Sequence, residues 1–422
     1  MLAIDRQKID EFEFTSRLNE IGKSEPFRNP EGKAYAICLG GAFEVITLVV
    51  YLRDHGASIL LFHADTPLNE AKRMALEAGC SYLVHGKWSE VCELNAPVHE
   101  ALSDHPGLLQ FSSGTTGRPK LIFRPWTEVA EEISAYNLAL QPEPGESVLV
   151  LASVSHSFGL ITGVLAAMER GAEVTVVQNK NPKFQLNMVR SADRAAIYGV
   201  PFLYQLLLTL GKGELRFHKP ISSGAPLSDS LLQRLGNASD QVWQQYGCTE
   251  VGCVSLGTGL ASRWDMGRPL SNLRVSLEPA PPGESAGITV EKPSEQIVRT
   301  GDAGIVTPEG RLHIYGRLDD LINVGGLKVI PLEIESVIEG MPGVREAVVF
   351  RTKHPVWGEA AKALIVAGEN IAEADVKSWC MGRLPPYKIP AFIEKVAEIP
   401  RLPSGKISRK LLEEQERIQN GN

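Results

Sequence analysis

Short apolar segments alternate with helix-length ones in two blocks of this 422-residue chain, and that alternation limits the fold more than any other feature. In the first block, residues 34–39, 58–62 and 81–84 read as strands. Between them, 43–52 and 66–78 read as helices, the second with Pro67 in its first turn and Gly79 past its end. In the second block, 148–152, 174–177, 194–198 and 221–223 read as strands, with helices at 159–168 and 203–210. Apolar runs without polar alternation suit strands buried on both faces. Strand and helix taken in turn give parallel sheets covered by helices.

The chain then changes character twice. Pro279, Pro281, Pro282 and Gly283 punctuate short β runs between 260 and 315, which predicts an antiparallel β subdomain. After Arg317 come helices near 334–338 and 376–380 and strands at 344–350 and 363–366, a small α+β unit. The expected architecture is α/β. A large N-terminal domain (1–317) holds parallel α/β subdomains plus a β subdomain, and a small mobile α+β domain (318–422) follows.

Bulk properties exclude several classes. A net charge of −7 argues against a nonspecific nucleic-acid binder, which needs a basic surface. The six Cys residues are scattered and none forms a CxxC pair, so neither a zinc framework nor a disulfide framework is indicated. Reduced thiols in a cytoplasm fit best. No signal-peptide core opens the chain, and the longest apolar run, 45–52, is far too short to span a membrane.

The densest chemical signal is Phe111-Ser112-Ser113-Gly114-Thr115-Thr116-Gly117-Arg118-Pro119-Lys120, behind an apolar strand that includes Leu108 and Leu109. Glycines turn backbone N–H groups toward an anion, hydroxyls add donors and Lys120 adds charge. The spacing differs from G-x-x-x-x-G-K-[S/T], and Leu121 stands where that pattern needs a hydroxyl, so a P-loop hydrolase ranks low. Four more segments follow: Gln245-Tyr246-Gly247-Cys248-Thr249-Glu250, Arg299-Thr300-Gly301-Asp302, Gly316-Arg317-Leu318-Asp319-Asp320 and Pro403-Ser404-Gly405-Lys406. Together and in this order, they resemble the acyl-adenylate-forming superfamily: acyl- and aryl-CoA ligases, adenylation domains and luciferases.

The resemblance implies a two-step ligase. A carboxylate attacks the α-phosphate of ATP, and a thiol of CoA or of a carrier protein's phosphopantetheine then displaces AMP. It implies Lys406 as the cation bridging carboxylate and α-phosphate. It places Glu250 on Mg2+, Thr249 at the α-phosphate and the Tyr246 ring, beside Gly247, against adenine. Ser112, Ser113, Gly114, Thr115, Thr116, Gly117 and Lys120 would hold phosphates. Gly224 and Ala225 would lie along adenine, and Asp302 and Arg317 would hold the ribose. Asp319 matches the family's hinge, about which the small domain would exchange Lys406 for the Gly325-Gly326 loop. The plainer alternative for Thr249-Glu250 is a capped helix start.

Ser155-His156-Ser157-Phe158-Gly159-Leu160 resembles the acyl-pocket segment, with Tyr198 and Gly199 as further wall. His156 would steer the carboxylate or serve the structure alone. No Asp lies between Val154 and Ile161 to pair a substrate ammonium. Burying that ammonium unpaired is costly, so a simple aryl or fatty acid is expected rather than an amino acid. The string resembles fatty-acyl and hydroxycinnamate ligases and lacks the Asn of siderophore-type hydroxybenzoate activators.

The chain is a compact version of the pattern. Only 49 residues separate Glu250 from Thr300, which disfavours a deep long-chain tunnel. No carrier domain is expected after Lys410. A catalytically silent nucleotide-binding homologue is the alternative. The presence of Lys406, Glu250, Thr249, Asp302 and Arg317 counts against it.

Overall fold

The computed structural model describes residues 1–94, 104–112, 120–279, 286–401 and 407–419. The expected buried strands assemble into two sheets. A six-stranded sheet runs in the order Val91–Glu93, Tyr82–Gly86, Ala34–Leu39, Ser58–Leu61, Gly107–Ser112, Lys120–Pro125, parallel except at its two edges. A nine-stranded sheet contains Trp243–Cys248, Lys219–Ser222, Ala195–Gly199, Ser147–Val150, Val174–Val176 and Leu2–Ile4 as parallel neighbours. Antiparallel strands Gly252–Gly257 and Gln7–Ile9 flank that run.

Strand periodicity explains the layers. Alternate residues point to opposite faces. Val148, Val150 and Tyr198 therefore enter a core shared with the six-stranded sheet and with helices Ala42–Asp54 and Trp126–Leu140. Leu149, Leu151 and Ile197 enter a second core under helices Pro182–Ser191, Pro201–Leu210 and Asp229–Ala238. The helix starts carry readable caps. Asn181 accepts hydrogen bonds from the amides of Lys183 and Phe184, and Ser228 accepts one from Leu231. Both long sheets thus have apolar cover on each face, as parallel sheets require.

A four-stranded antiparallel sheet follows, in the order Arg274–Leu277, Ala286–Glu291, Ile297–Val306, Leu312–Arg317. Beyond Asp320 a separate five-stranded sheet is built around the paired strands Val344–His354 and Gly358–Ala367. Helices Pro331–Glu339 and Glu373–Met381 cover one face of it, and helix Arg409–Gln419 packs near the other. This body meets the larger one through Ser336, whose hydroxyl donates to Asp229 at 2.5 Å, and through Arg263 and Glu339 at 3.8 Å. Burial pushes the Glu339 carboxyl up to about 7. Among the described residues no helix is long and apolar enough to cross a membrane.

Candidate active site

The carboxyl ends of parallel strands are where open α/β sheets leave a crevice for ligands. Two of the sequence-predicted segments end there. Strand Lys219–Ser222 leads into Gly224 and Ala225, both exposed. Strand Trp243–Cys248 carries Tyr246 and Gly247 and runs into the turn holding Thr249 and Glu250. That turn joins two antiparallel strands, so Thr249-Glu250 is not a helix start.

The pairing register shifts between Tyr246 and Gly247, a bulge of the kind that re-aims a side chain at an active site. Only glycine fits at 247, because an added Cβ would lie 2.3 Å from the Gly252 carbonyl oxygen. The half-buried Tyr246 ring leaves its own sheet, and its hydroxyl donates to Asp302 Oδ2 at 2.5 Å.

Asp302 and Arg317 are register partners on adjacent strands, with Arg317 Nε 3.6 Å from Asp302 Oδ1 and 3.2 Å from Asp319 Oδ1. Asp302 is only 8% exposed. Burial raises its carboxyl above the ordinary range, and the Tyr246 hydroxyl and Arg317 guanidinium oppose that rise. Burial, then the Asp302 charge, pushes the Tyr246 phenol far up, so it remains a donor. Cys248 is held near 12 by burial and then by Glu250, which removes it as a thiolate nucleophile. A carboxylate fixed by a phenol and a guanidinium can accept a pair of vicinal hydroxyls.

Glu250 and Lys120 line the same cleft of about 880 Å3, together with Ile122, Thr289 and Arg299. Lys120 starts the strand paired with Gly107–Ser112, in register with Ser112. The Ser113–Gly117 run falls between these strands in sequence and lies outside the described residues, as does Lys406.

The segment expected to line the acid pocket differs from its expected form. Residues 158–165 wind as a π-helix and continue as a short α-helix, Ala166–Glu169. π-Helical turns are rare and collect at functional sites. Here the Thr162 hydroxyl donates back to the Phe158 carbonyl at 2.8 Å. Phe158 packs on Tyr198 with ring centroids 5.6 Å apart, and Tyr198 is fully buried, 3.1 Å from the Tyr136 hydroxyl. Gly159 and Gly199 are buried, and His156 is exposed at the head of the segment.

Several supporting residues were absent from the sequence reading. The Ser157 hydroxyl donates to Gln110 at 2.6 Å, and Thr162 lies 3.4 Å from Gln245. These two glutamines tie the 158–165 helix to strands Gly107–Ser112 and Trp243–Cys248. Arg124 and Glu132 form a buried ion pair at 2.5 Å, and Glu132 also accepts from the Cys253 amide at 2.7 Å, which anchors the strand after Glu250. The one sequence signal was polarity at Gln110 and Thr162, which interrupt apolar runs.

Residues 41–298 match the AMP-binding enzyme family, and 333–406 match the AMP-binding enzyme C-terminal domain. The chain belongs to the AMP-binding enzyme family. A 3,4-dihydroxybenzoate–[aryl-carrier protein] ligase of Bacillus anthracis is 42% identical over 419 residues, 98% of each chain. Among solved structures, ATP-bound MatB from Rhodopseudomonas palustris superposes with a TM-score of 0.85 at 22% identity, covering 99% of this chain and 96% of the other. The o-succinylbenzoate CoA synthetase of Bacillus subtilis with its acyl-adenylate does so at 0.83 and 22%, covering 97% and 94%. At that identity the two structures establish the fold, and it is the α/β architecture expected from the sequence. The expected adenylate-forming family is likewise borne out.

Proposed function

We propose that this chain is an AMP-forming acid–thiol ligase that activates an aryl acid of the hydroxybenzoate class and passes it to the phosphopantetheine thiol of a separate aryl-carrier protein. The end-to-end similarity to a dihydroxybenzoate–carrier protein ligase carries the choice of acid and acceptor. The Tyr246–Asp302–Arg317 constellation supports the nucleotide half.

In the first step the acid's carboxylate oxygen bonds to the α-phosphorus of ATP and pyrophosphate leaves. Two anions approach each other, so donors must be aimed at the developing charge. Lys406 is assigned that role, with the Ser113–Gly117 amides and hydroxyls on the phosphates and Thr249 beside the α-phosphate. Asp302 accepts the ribose hydroxyls, Arg317 donates to the same nucleotide, and Tyr246 with Gly224 and Ala225 borders adenine. Glu250 suits Mg2+, since a half-buried carboxylate facing a roomy cleft matches an ion that takes one or two carboxylates plus phosphate oxygens. When bound, the ion would neutralise phosphate charge.

In the second step the thiol sulfur attacks the acyl carbon and AMP departs. The small domain, taken from residue 318, is assigned a swing about Asp319. There the Asp319 side chain pairs with Arg317 while its carbonyl accepts from Arg351 of the small domain. His156, Phe158, Gly159, Tyr198 and Gly199 are assigned to the acid side. CoA as acceptor, a fatty acid as substrate and a silent homologue are the lesser readings. The scattered thiols support a cytoplasmic location within this proposal.

The test is acid-dependent exchange of pyrophosphate into ATP across hydroxybenzoic, cinnamic and fatty acids. Acyl transfer to a phosphopantetheinylated aryl-carrier protein and to CoA is then measured. Preference for hydroxybenzoates and transfer to the carrier protein are expected. Exchange with fatty acids alone, or transfer to CoA alone, overturns the assignment.

A further inference from the structure

The amino ends of the strands in the nine-stranded sheet hold a second charged cluster, on the far side from the candidate active site. Glu143-Pro144-Gly145-Glu146 forms a turn in which the Glu146 amide donates to the Glu143 carbonyl at 3.0 Å. Pro144 and Gly145 occupy the two central positions, and Gly145 has φ +75°. The turn brings two carboxylates together just before strand Ser147–Val150. His218 stands at the start of the nearby strand Lys219–Ser222. Ligand atoms of Glu143, Glu146 and His218 all lie within 4.8 Å of one another.

Two observations turn the cluster into a site. Glu146 is 5% exposed, and its Oε1 has no hydrogen-bond partner among the described residues, while Oε2 pairs with Lys219. A buried carboxylate oxygen without a partner is costly unless something else occupies the space beside it. His218 is also poised by its far nitrogen. Nδ1 lies 2.9 Å from Asp240 Oδ2, which leaves the buried Nε2 turned toward Glu143 and Glu146, 3.7 and 3.9 Å away, with no hydrogen-bond partner among the described residues. Carboxylate–histidine–metal arrangements are oriented in this way.

The charges agree. The carboxylates of Glu143, Glu146 and Asp240 face only Lys219 and Arg194 as side-chain cations among the described residues, and Arg194 is more than half exposed.

We propose that Glu143, Glu146 and His218 form a structural site for a divalent transition-metal cation of the Zn2+ type. Mixed imidazole and carboxylate donors favour such an ion over Mg2+ or Ca2+, which prefer oxygen ligands throughout. Three protein ligands leave a fourth position for water. The cation would lock the 143–146 turn to the strand beginning at Lys219 and so clamp the base of the sheet. Asp240 is a positioning residue, acting through the His218 ring.

The full-length chain, stripped with chelator and kept in excess Mg2+, is titrated with Co2+ and then with Zn2+. One Co2+ per chain with a visible ligand-field band is expected, displaced by an equivalent of Zn2+ and accompanied by a rise in Tm. Glu143→Gln, on a surface turn, and His218→Gln should abolish the band. Asp240→Asn should weaken Zn2+ binding by about 10–100-fold. Pyrophosphate exchange by Glu143→Gln should match the wild type, because the turn lies away from the reacting groups. No Co2+ band in the wild-type chain, or binding undiminished in Glu143→Gln and His218→Gln, overturns the site.

Discussion

Asp302 is approached by a phenol from one sheet and a guanidinium from the strand beside it, while Phe158 rests ring against ring on a tyrosine buried in the core. The nucleotide side of the proposed reaction is therefore made of polar groups held across element boundaries. The proposed acid side is mostly apolar rings and glycines, Phe158 and Gly159 on a π-helix and Tyr198 and Gly199 on a buried strand. The contrast has a physical basis. A nucleotide offers fixed charges and hydroxyls that need matched donors and acceptors, whereas the aromatic ring of the proposed acid first needs shape and exclusion of water. The two sides are not independent, because Gln110 and Gln245 hydrogen-bond the acid-side helix from the strands of the nucleotide side.

The largest effect should come from the charge proposed to join the two sides. Lys406→Ala is expected to lower acid-dependent pyrophosphate exchange by about 10²–10³-fold or more, the range for loss of one transition-state donor. Circular dichroism should be unchanged. Exchange near the wild-type rate would remove Lys406 from the reaction.

Asp302→Asn should act on the nucleotide alone. Losing a charged acceptor for two hydroxyls is worth about 1.5–3 kcal/mol, so the ATP KM should rise by about 10–100-fold, with the acid KM little changed. The pH dependence has a definite sign. Burial raises the folded-state pKa of Asp302 above its unfolded value. Its contribution to stability is therefore present below the unfolded pKa and is lost as pH rises through the folded one. Binding runs the other way, since the ionised carboxylate is the better acceptor. The wild-type ATP KM should fall as pH rises through that raised value, and the Asn variant should lose the trend. A rise in both KM values would erase the distinction between the two sides.

This contrast also explains what could be read from the chain. The buried strands were visible because Ala34–Leu39 and Ala195–Gly199 are unbroken apolar runs, the pattern of a strand covered on both faces. Tyr246, Asp302 and Arg317 were visible only because their segments resemble the family's motifs; each lies within a strand, so local loop signals alone would not have marked them. The bulge at Tyr246–Gly247 was hidden, since it depends on the register against the Gly252–Gly257 strand. The turn at Thr249-Glu250 was hidden for the same reason. The π-helix, the buried Arg124–Glu132 pair and the Gln110 and Gln245 bridges escaped because each depends on partners distant in sequence.

Phe158→Ala should leave the ATP KM unchanged and raise the acid KM by roughly tenfold, as expected when part of an apolar wall is removed. Equal changes in both constants would mean that the π-helix serves the nucleotide strands rather than the acid.

The smallest effect separates packing from recognition on the acid side. Tyr198→Phe keeps the ring that Phe158 packs against and removes only the hydroxyl 3.1 Å from Tyr136. Both phenols are buried, and burial holds each pKa above the ordinary value, so both remain protonated across the working range. The substitution leaves the Tyr136 hydroxyl short of an acceptor, a loss of about 1–3 kcal/mol measured by denaturant unfolding. If Tyr198 acts as wall, exchange kinetics with hydroxybenzoates should not move. If acid KM rises while stability holds, the hydroxyl reaches the substrate, and the acid side carries a polar contact of the kind that defines the nucleotide side.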